Sequence, residues 1–287
     1  MKQFFIITNS AKDPKLISAR RIESYLKEKD CCCSIFEGPA PSERGDFNYT
    51  DPLVIPEGTE CILVLGGDGT LLQAARDTYD LQIPLFGINL GTLGFLAEVG
   101  KEETYRALDH MIRDEYMVES RMMLEGRIYR DGDILETGIA LNDIVIGKDK
   151  GLKALHINNY VDGVFLNNIY SDGIILASPT GSTAYSLSAG GPIVAPNAQL
   201  FVMTPLAPHT ISTRSVILAP ESNITVEICP GREGQTDHAQ VYFDGEDGVA
   251  LLTGDRVVIR RAEKDTRLIK IHNTSFMTTL SRKMNIV

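Results

Sequence analysis

The run Cys61-Ile62-Leu63-Val64-Leu65, followed at once by Gly66-Gly67-Asp68-Gly69-Thr70-Leu71, restricts the fold of this chain more than any other stretch. Successive apolar residues ending at glycine read as a buried strand, and Thr70 to about Asp77 reads as the helix after it. A buried strand that turns through glycines into a helix brings backbone N–H groups together against phosphate. Glycine lets the backbone turn sharply and approach a ligand closely. Asp68 is the odd member. A carboxylate among phosphate-binding amides repels the anion, so it should face a metal ion or a hydroxyl whose proton must leave. The other reading is a tight turn in which Asp68 caps the helix. The spacing matches neither Gly-x-Gly-x-x-Gly nor the P-loop, which ends in Gly-Lys-Ser/Thr.

Around this turn the chain alternates. Phe4 to Thr8 reads as a strand, and Leu16, Ala19, Ile22 and Leu26 recur at helical spacing through Lys29. Ser34 to Phe36 is a short strand, a Pro/Gly/Asp-rich loop runs from Gly38 to about Gly58, and Pro84 to Asn89 is a further strand. Glu102 to Arg113 gives a helix with Tyr105, Leu108 and Ile112 on one face. Alternating strands and helices predict a Rossmann-like parallel sheet, whose ligands lie beyond the carboxyl ends of the strands, where Asp68 falls. A second glycine-containing loop, Leu90 to Leu96, falls at the same edge.

From about Met117 short apolar runs divided by Gly, Asp and Asn predict a β-rich second half. Thr137 to Ile146 reads as one run, and Asp162-Gly163 as a hairpin turn. The expected organisation is an α/β domain over residues 1–118 and a β-rich domain over 119–269, α+β overall. The tail from about 270 to 287 would return to the first domain. No flexible linker marks the boundary, which predicts one rigid body with a cleft.

The formal charge of −10 argues against a nucleic-acid or anionic-membrane surface, because both need a positive field. A phosphate ligand must then be held locally. Five cysteines, three of them consecutive at Cys31-Cys32-Cys33, lack disulfide or zinc spacing and read as reduced thiols. The N-terminal apolar run is too short for a signal peptide, and no stretch approaches the ~20 apolar residues that span a bilayer, so a cytoplasmic location is expected. The five histidines are scattered, with no metal-ligand pair at helical spacing. The metal ligands stay unknown at this level.

The most unusual stretch is Ser171-Asp172-Gly173 and then Ser178 to Pro192, which contains Thr180-Gly181-Ser182-Thr183-Ala184-Tyr185-Ser186-Leu187-Ser188. Small hydroxyls with one aromatic ring suit a nucleoside, the hydroxyls and amides reading base edges and ribose while the ring stacks. The plainer reading is a Ser/Gly loop with no ligand.

Taken together, Gly66-Gly67-Asp68-Gly69-Thr70, Asn142-Asp143, Ser171-Asp172-Gly173, Pro179 to Tyr185 with Gly190-Gly191-Pro192, and Asp244-Gly245 resemble the NAD kinase family in order and spacing. Gly-Gly-Asp-Gly-Thr alone is shared with diacylglycerol-type lipid kinases and, more loosely, phosphofructokinases; the Thr-Gly-Ser-Thr-Ala-Tyr run is far more specific. The resemblance implies transfer of the terminal phosphate of ATP, another triphosphate or polyphosphate to the 2′-hydroxyl of the adenosine ribose of NAD. It also implies a divalent cation, Mg2+, and a homodimer or homotetramer.

By the same resemblance Asp68 is the catalytic proton acceptor, and Gly66, Gly67, Gly69 and Thr70 bind phosphate. Asn142, Asp143, Asp172, Thr183, Ala184, Tyr185 and Ser188 contact NAD, and Gly69 also borders the substrate. Asp143 stands where relatives carry Glu, and its alternative is a strand-start turn. Lys153 would neutralise the NAD pyrophosphate or lie solvated at the surface. Tyr170 and Glu246 occupy substrate-binding positions where relatives often have Arg and Gln. His209 and Arg214 lie in a further polar stretch resembling the family.

Three other functions share parts of this pattern. A lipid kinase needs an apolar or basic membrane face, which the acidic balance and hydroxyl-rich loop oppose. A sugar-phosphate kinase needs several basic residues around its acceptor, and residues 171–192 contain none. A non-catalytic NAD-binding sensor would have lost Asp68 or a flanking glycine, and both are intact.

Overall fold

The computed structural model describes residues 1–36, 50–91, 94–149, 153–210, 213–231, 234–245, 248–272 and 275–284. They form two compact units, Met1–Arg121 with Thr266–Val287 and Met122–Asp265.

In the first unit Cys32–Ile35, Gln3–Thr8, Cys61–Gly66, Leu85–Asn89, Thr266–Lys270 and Met117–Arg121 lie side by side in that order, with Val99–Gly100 also against Leu85–Asn89. Neighbours are parallel except the last pair, Thr266–Lys270 with Met117–Arg121. All six residues of Cys61–Gly66 are buried, as a central strand covered on both faces requires. The helix Ile17–Glu28 buries Ala19, Ile22 and Leu26, and Asp68–Asp77 buries Leu71, Ala74 and Ala75. Thr104–Ile112 turns Leu108 and, in part, Ile112 inward as its sequence suggests, but not Tyr105. Thr104, Ala107, Leu108 and Met111 are buried, while Tyr105 is exposed and lies 4.8 Å, ring to ring, from Tyr25 of Ile17–Glu28.

The second unit holds two six-stranded antiparallel sheets. Leu124, Ile157, Val226 and Ile259 of one sheet meet Ile144, Ile174, Phe201 and Val241 of the other in a shared core. The first sheet has its second face in water, so Leu155–Val161 and Ile224–Ile228 alternate between buried and partly exposed residues. The second sheet is covered on both faces: Val145, Ile175, Ala177 and Val202 pack under Ala189, Val194 and Leu200. Gly173–Ala177 is accordingly buried throughout.

Three features depart from the sequence reading. Thr137 to Ile146 is not one strand: Asp133–Ala140 belongs to one sheet and Asp143–Lys148 to the other. The N–H groups of residues 141–143 bond a side chain instead of a ladder, so the chain changes sheets there. Phe201–Leu206 is a buried strand despite Pro205, which lies past Met203, the last residue paired with Val216–Leu218. Thr266–Lys270 completes the first unit's sheet, so the β-rich unit ends at Asp265 rather than 269. The Asp162-Gly163 hairpin is present, with φ of 50° and 78°.

Candidate functional site

In the first unit the Cys61–Gly66 strand ends at the glycine turn, and Gly67 is the N-cap of Asp68–Asp77. A Cβ on Gly66 would collide with the Thr70 side chain, so glycine is required by close approach. Asp68 lies in the first helical turn, half-buried. Its carboxylate accepts the N–H of Phe95 at 2.8 Å and of Leu96 at 3.3 Å. Gly94 lets this loop close over it, since a Cβ there would strike the carboxylate. The two N–H groups orient Asp68 and leave lone pairs on both oxygens. Gly69 is exposed and has open space where a Cβ would be.

Asn9 is a member of this site that sequence reasoning missed: its amide nitrogen lies 3.4 Å from Thr70 Oγ1. The parallel pairing of Thr8 with Leu65 brings it there. Its position just after the first strand, at the edge where ligands bind, was the available signal.

In the second unit a cavity of about 480 Å3 is bordered by Asn142, Asp143, Asp172, Ala184 and Tyr185, all singled out from sequence, together with Lys148, Tyr242 and Asp244. Asp244 builds its floor. Its carboxylate accepts the N–H groups of Leu141, Asn142 and Asp143 at 2.8, 2.7 and 3.1 Å. Asp244 and Gly245 have φ of 52° and 78°, a left-handed turn that favours glycine at the second position. Asp143 is 5% exposed, and no hydrogen bond reaches its carboxylate among the described residues. Burial, reinforced by the Asp244 charge, pushes its pKa up to about 7.

Asp172 forms a 2.7 Å ion pair with Lys148, a lysine absent from the sequence-derived site. The pairing of Gly147 with Gly173 brings them together, a register no local signal reveals.

The hydroxyl-rich stretch serves mainly as scaffold, contrary to its reading as a set of ligand contacts. Ser178 donates to Leu141 O, and Ser182 to Pro179 O. Ser186 pairs with Thr204. All three serines are buried. Gly181 is pressed against Asn142, where a Cβ would overlap the backbone. These bonds carry Ala184 and Tyr185 to the cavity wall.

Other residues fall outside the cavity lining. Thr183 bonds Thr180 O at 3.3 Å, and Ser188 is exposed at the end of the Tyr185–Ser188 helix. Lys153 lies 3.2 Å from both Asp237 and Gln235, so a pyrophosphate contact would compete with that pair. Tyr170 stacks on His156 with ring centroids 4.3 Å apart. The N–H of His209 bonds Tyr170 O at 2.8 Å, and the Arg214 guanidinium bonds Thr213 O at 3.0 Å. Glu246 lies outside the described residues. No group of three or more His, Cys, Asp or Glu that could hold a metal occurs among the described residues.

A glycine turn at the carboxyl edge of a parallel sheet, with a carboxylate oriented beside it, fits a phosphotransferase of the kinase type. Comparison with known proteins makes this specific. The family model described as ATP-NAD kinase N-terminal domain matches residues 4–116, and the ATP-NAD kinase C-terminal domain matches 141–271. The curated NAD kinase of Agathobacter rectalis is 43% identical over 286 residues, covering 99% of both chains. The crystal structure of an Archaeoglobus fulgidus NAD kinase in complex with ATP has a TM-score of 0.75 at 26% identity, covering all of both chains. Yeast NADH kinase complexed with NADH has the same fold, with a TM-score of 0.88 at 23% identity over 99% of this chain and 88% of its own. The chain belongs to the NAD kinase family. Neither the lipid kinase nor the sensor has a counterpart among these relatives.

Proposed function

We propose that this chain transfers the terminal phosphate of ATP, or of another triphosphate or polyphosphate, to the 2′-hydroxyl of the adenosine ribose of NAD. The products are NADP and the shortened donor. The observation that carries the reading is the intact turn in a member of this family: Asp68 stands oriented in the first turn of a helix, beside glycines that leave room for phosphate. The named relatives crystallised with ATP and with NADH support both substrates.

In the proposed reaction the 2′-oxygen forms a bond to the terminal phosphorus as the bond to the bridging oxygen breaks. The hydroxyl proton passes to Asp68. Such transfers have loose transition states, so orientation and charge neutralisation outweigh base strength. Gly66, Gly67, Gly69 and Thr70 border the donor phosphates. Asn142, Asp143, Asp172, Ala184 and Tyr185 border the adenosine part of NAD, with Thr183 and Ser188 at its margin and Lys153 and Tyr170 as further substrate contacts.

The donor set fits a divalent cation such as Mg2+, which needs only one or two carboxylates beside substrate phosphates and water. Asp68 is the carboxylate that would hold it, and the cation would supply neutralisation of the donor's charge.

A cytoplasmic setting is supported by five free thiols. No helix among the described residues is long and apolar enough to cross a membrane. A homodimer or homotetramer is proposed on family membership.

The deciding experiment incubates the purified protein with NAD, ATP and Mg2+ and detects NADP with an NADP-specific dehydrogenase. NADP formation is expected. Retained NAD binding without NADP would overturn the kinase reading.

A further inference from the structure

The loop after the first strand carries a cation to the glycine turn. Thr8 lies opposite Leu65, so residues 9–12 leave the sheet at the same edge as Gly66 and Gly67. Asn9 pins the start of the loop: its N–H donates to Leu65 O at 3.0 Å, and its Oδ1 accepts the N–H groups of Ala11 and Lys12 at 3.0 and 3.2 Å. Asp13, 2% exposed, pins the end by accepting the N–H groups of Ser18 and Ala19 at 2.7 and 3.0 Å. Between these anchors the Lys12 ammonium reaches the glycine turn. Its Nζ lies 2.7 Å from where a Cβ on Gly67 would sit.

Three further observations bear on what that ammonium does. Gly67 has φ −128° and ψ −172°, an extended conformation open to any residue, so its backbone shape does not require glycine. Among the described residues, the Lys12 ammonium is also the sole group that a Cβ at Gly67 would meet within 4 Å. Glycine at this position makes room for the lysine.

Next, Lys12 is exposed and makes no ion pair among the described residues. The acidic side chains flanking the loop and the turn, Asp13 and Asp68, face backbone N–H groups instead.

Finally, the ammonium stands at the N-terminus of Asp68–Asp77, the positive end of a ten-residue helix dipole. In the free protein a cation there is electrostatically unfavourable. A bound anion would offset that cost.

We propose that Lys12 is the substrate-contacting cation of the phosphate donor, meeting the outer phosphate oxygens at the Gly67 turn while Asp68 faces the acceptor hydroxyl. This rests on the kinase reading above and adds a residue to its donor side. A compact ammonium on a flexible stem suits oxygens whose positions shift as the phosphoryl group leaves. Replacing it removes one charge-assisted hydrogen bond to phosphate, about a tenfold loss of donor affinity.

The test compares wild type, Lys12→Met and Lys12→Arg in the full-length protein by calorimetric titration with ATP, inorganic tripolyphosphate and NAD separately. Lys12→Met should weaken ATP and tripolyphosphate about tenfold and leave NAD unchanged, while Lys12→Arg stays within about threefold of wild type. The melting temperature of unliganded Lys12→Met should equal or exceed that of wild type, since a repelled cation has been removed. A residue with only a structural role would move melting downward instead.

Binding of ATP and tripolyphosphate by Lys12→Met within about twofold of wild type overturns the proposal. So does failure of the wild type to bind either probe. If wild type binds tripolyphosphate through Lys12 yet makes no NADP, the acceptor assignment fails and the Lys12 assignment stands. If wild type makes NADP and Lys12→Met has the same KM for ATP, the reverse holds.

Discussion

Asp143 and Asp244 are joined in both directions through their backbones: the Asp143 N–H donates to the Asp244 carboxylate at 3.1 Å, and the Asp244 N–H donates to the Asp143 carbonyl at 3.0 Å. The two carboxylates therefore border one cavity in opposite environments. Asp244 accepts three N–H groups, while Asp143 is buried with no donor among the described residues. Their chemistry must differ accordingly.

The Asp143 pKa is raised to about 7 in the folded protein, burial being the main cause and the Asp244 charge the second. A raised carboxyl favours folding while protonated, so its contribution is full below the unfolded value, about pH 4, and is lost as pH rises to about 7. Melting of the unliganded protein should fall across that window, and Asp143→Asn should flatten the decline. An unchanged profile in the variant would assign the dependence to another group.

Asp244→Ala leaves three N–H groups of the sheet crossover without their acceptor. A loss of roughly 3 kcal/mol or more is expected, measured by urea denaturation, together with loss of NAD binding. Retention of both would mean that the 141–143 segment is held by other contacts.

Two glycines should respond oppositely to alanine. Gly181→Ala drives a methyl into the Asn142 backbone and should lower the melting temperature sharply and abolish NAD binding. Gly69→Ala meets open space within a helix, so melting should hold or rise by the equivalent of about 0.5–1 kcal/mol, while KM for ATP increases. Unchanged KM for ATP in Gly69→Ala would remove that glycine from the donor site.

Asp68→Asn keeps the shape of the turn but cannot take a proton. Turnover should fall by about 10²–10⁴ with NAD affinity retained, read from steady-state kinetics beside NAD titration. Near-normal kcat would sink the assignment.

Chelation by EDTA should stop NADP formation and leave the unliganded melting curve unchanged, because the proposed cation would be held between Asp68 and the donor phosphates and would bind only with the donor. Restoration by added Mg2+ checks the first part. A melting shift on chelation would point to a structural metal.

Much of this protein was legible along the chain, for reasons that are local. The continuous apolar run of Cys61–Gly66 and the spacing of Ala19, Ile22 and Leu26 report burial directly, because strand and helix periodicities are properties of neighbouring residues. The Asp68 turn and the Asp162-Gly163 hairpin carry their own glycine signals. Asn142, Asp143, Asp172, Ala184 and Tyr185 were identified by motif and converge on one cavity.

The remaining features depend on which distant residues meet. Lys148 faces Asp172 through sheet register, and Asp244 binds N–H groups about a hundred positions away in sequence, 103 for Leu141. Ser178, Ser182 and Ser186 resemble ligand contacts until burial commits their hydroxyls to the backbone and to Thr204. Lys12 looks like an ordinary surface lysine until parallel pairing sets its ammonium beside Gly67. The sequence by itself determined most of the strands and helices, the family and the glycine turn at Asp68, because each is written in contiguous residues. Tertiary structure alone decided which polar groups are already bonded and which remain open to a ligand, because hydrogen-bond partners and burial depend on neighbours brought together only by folding.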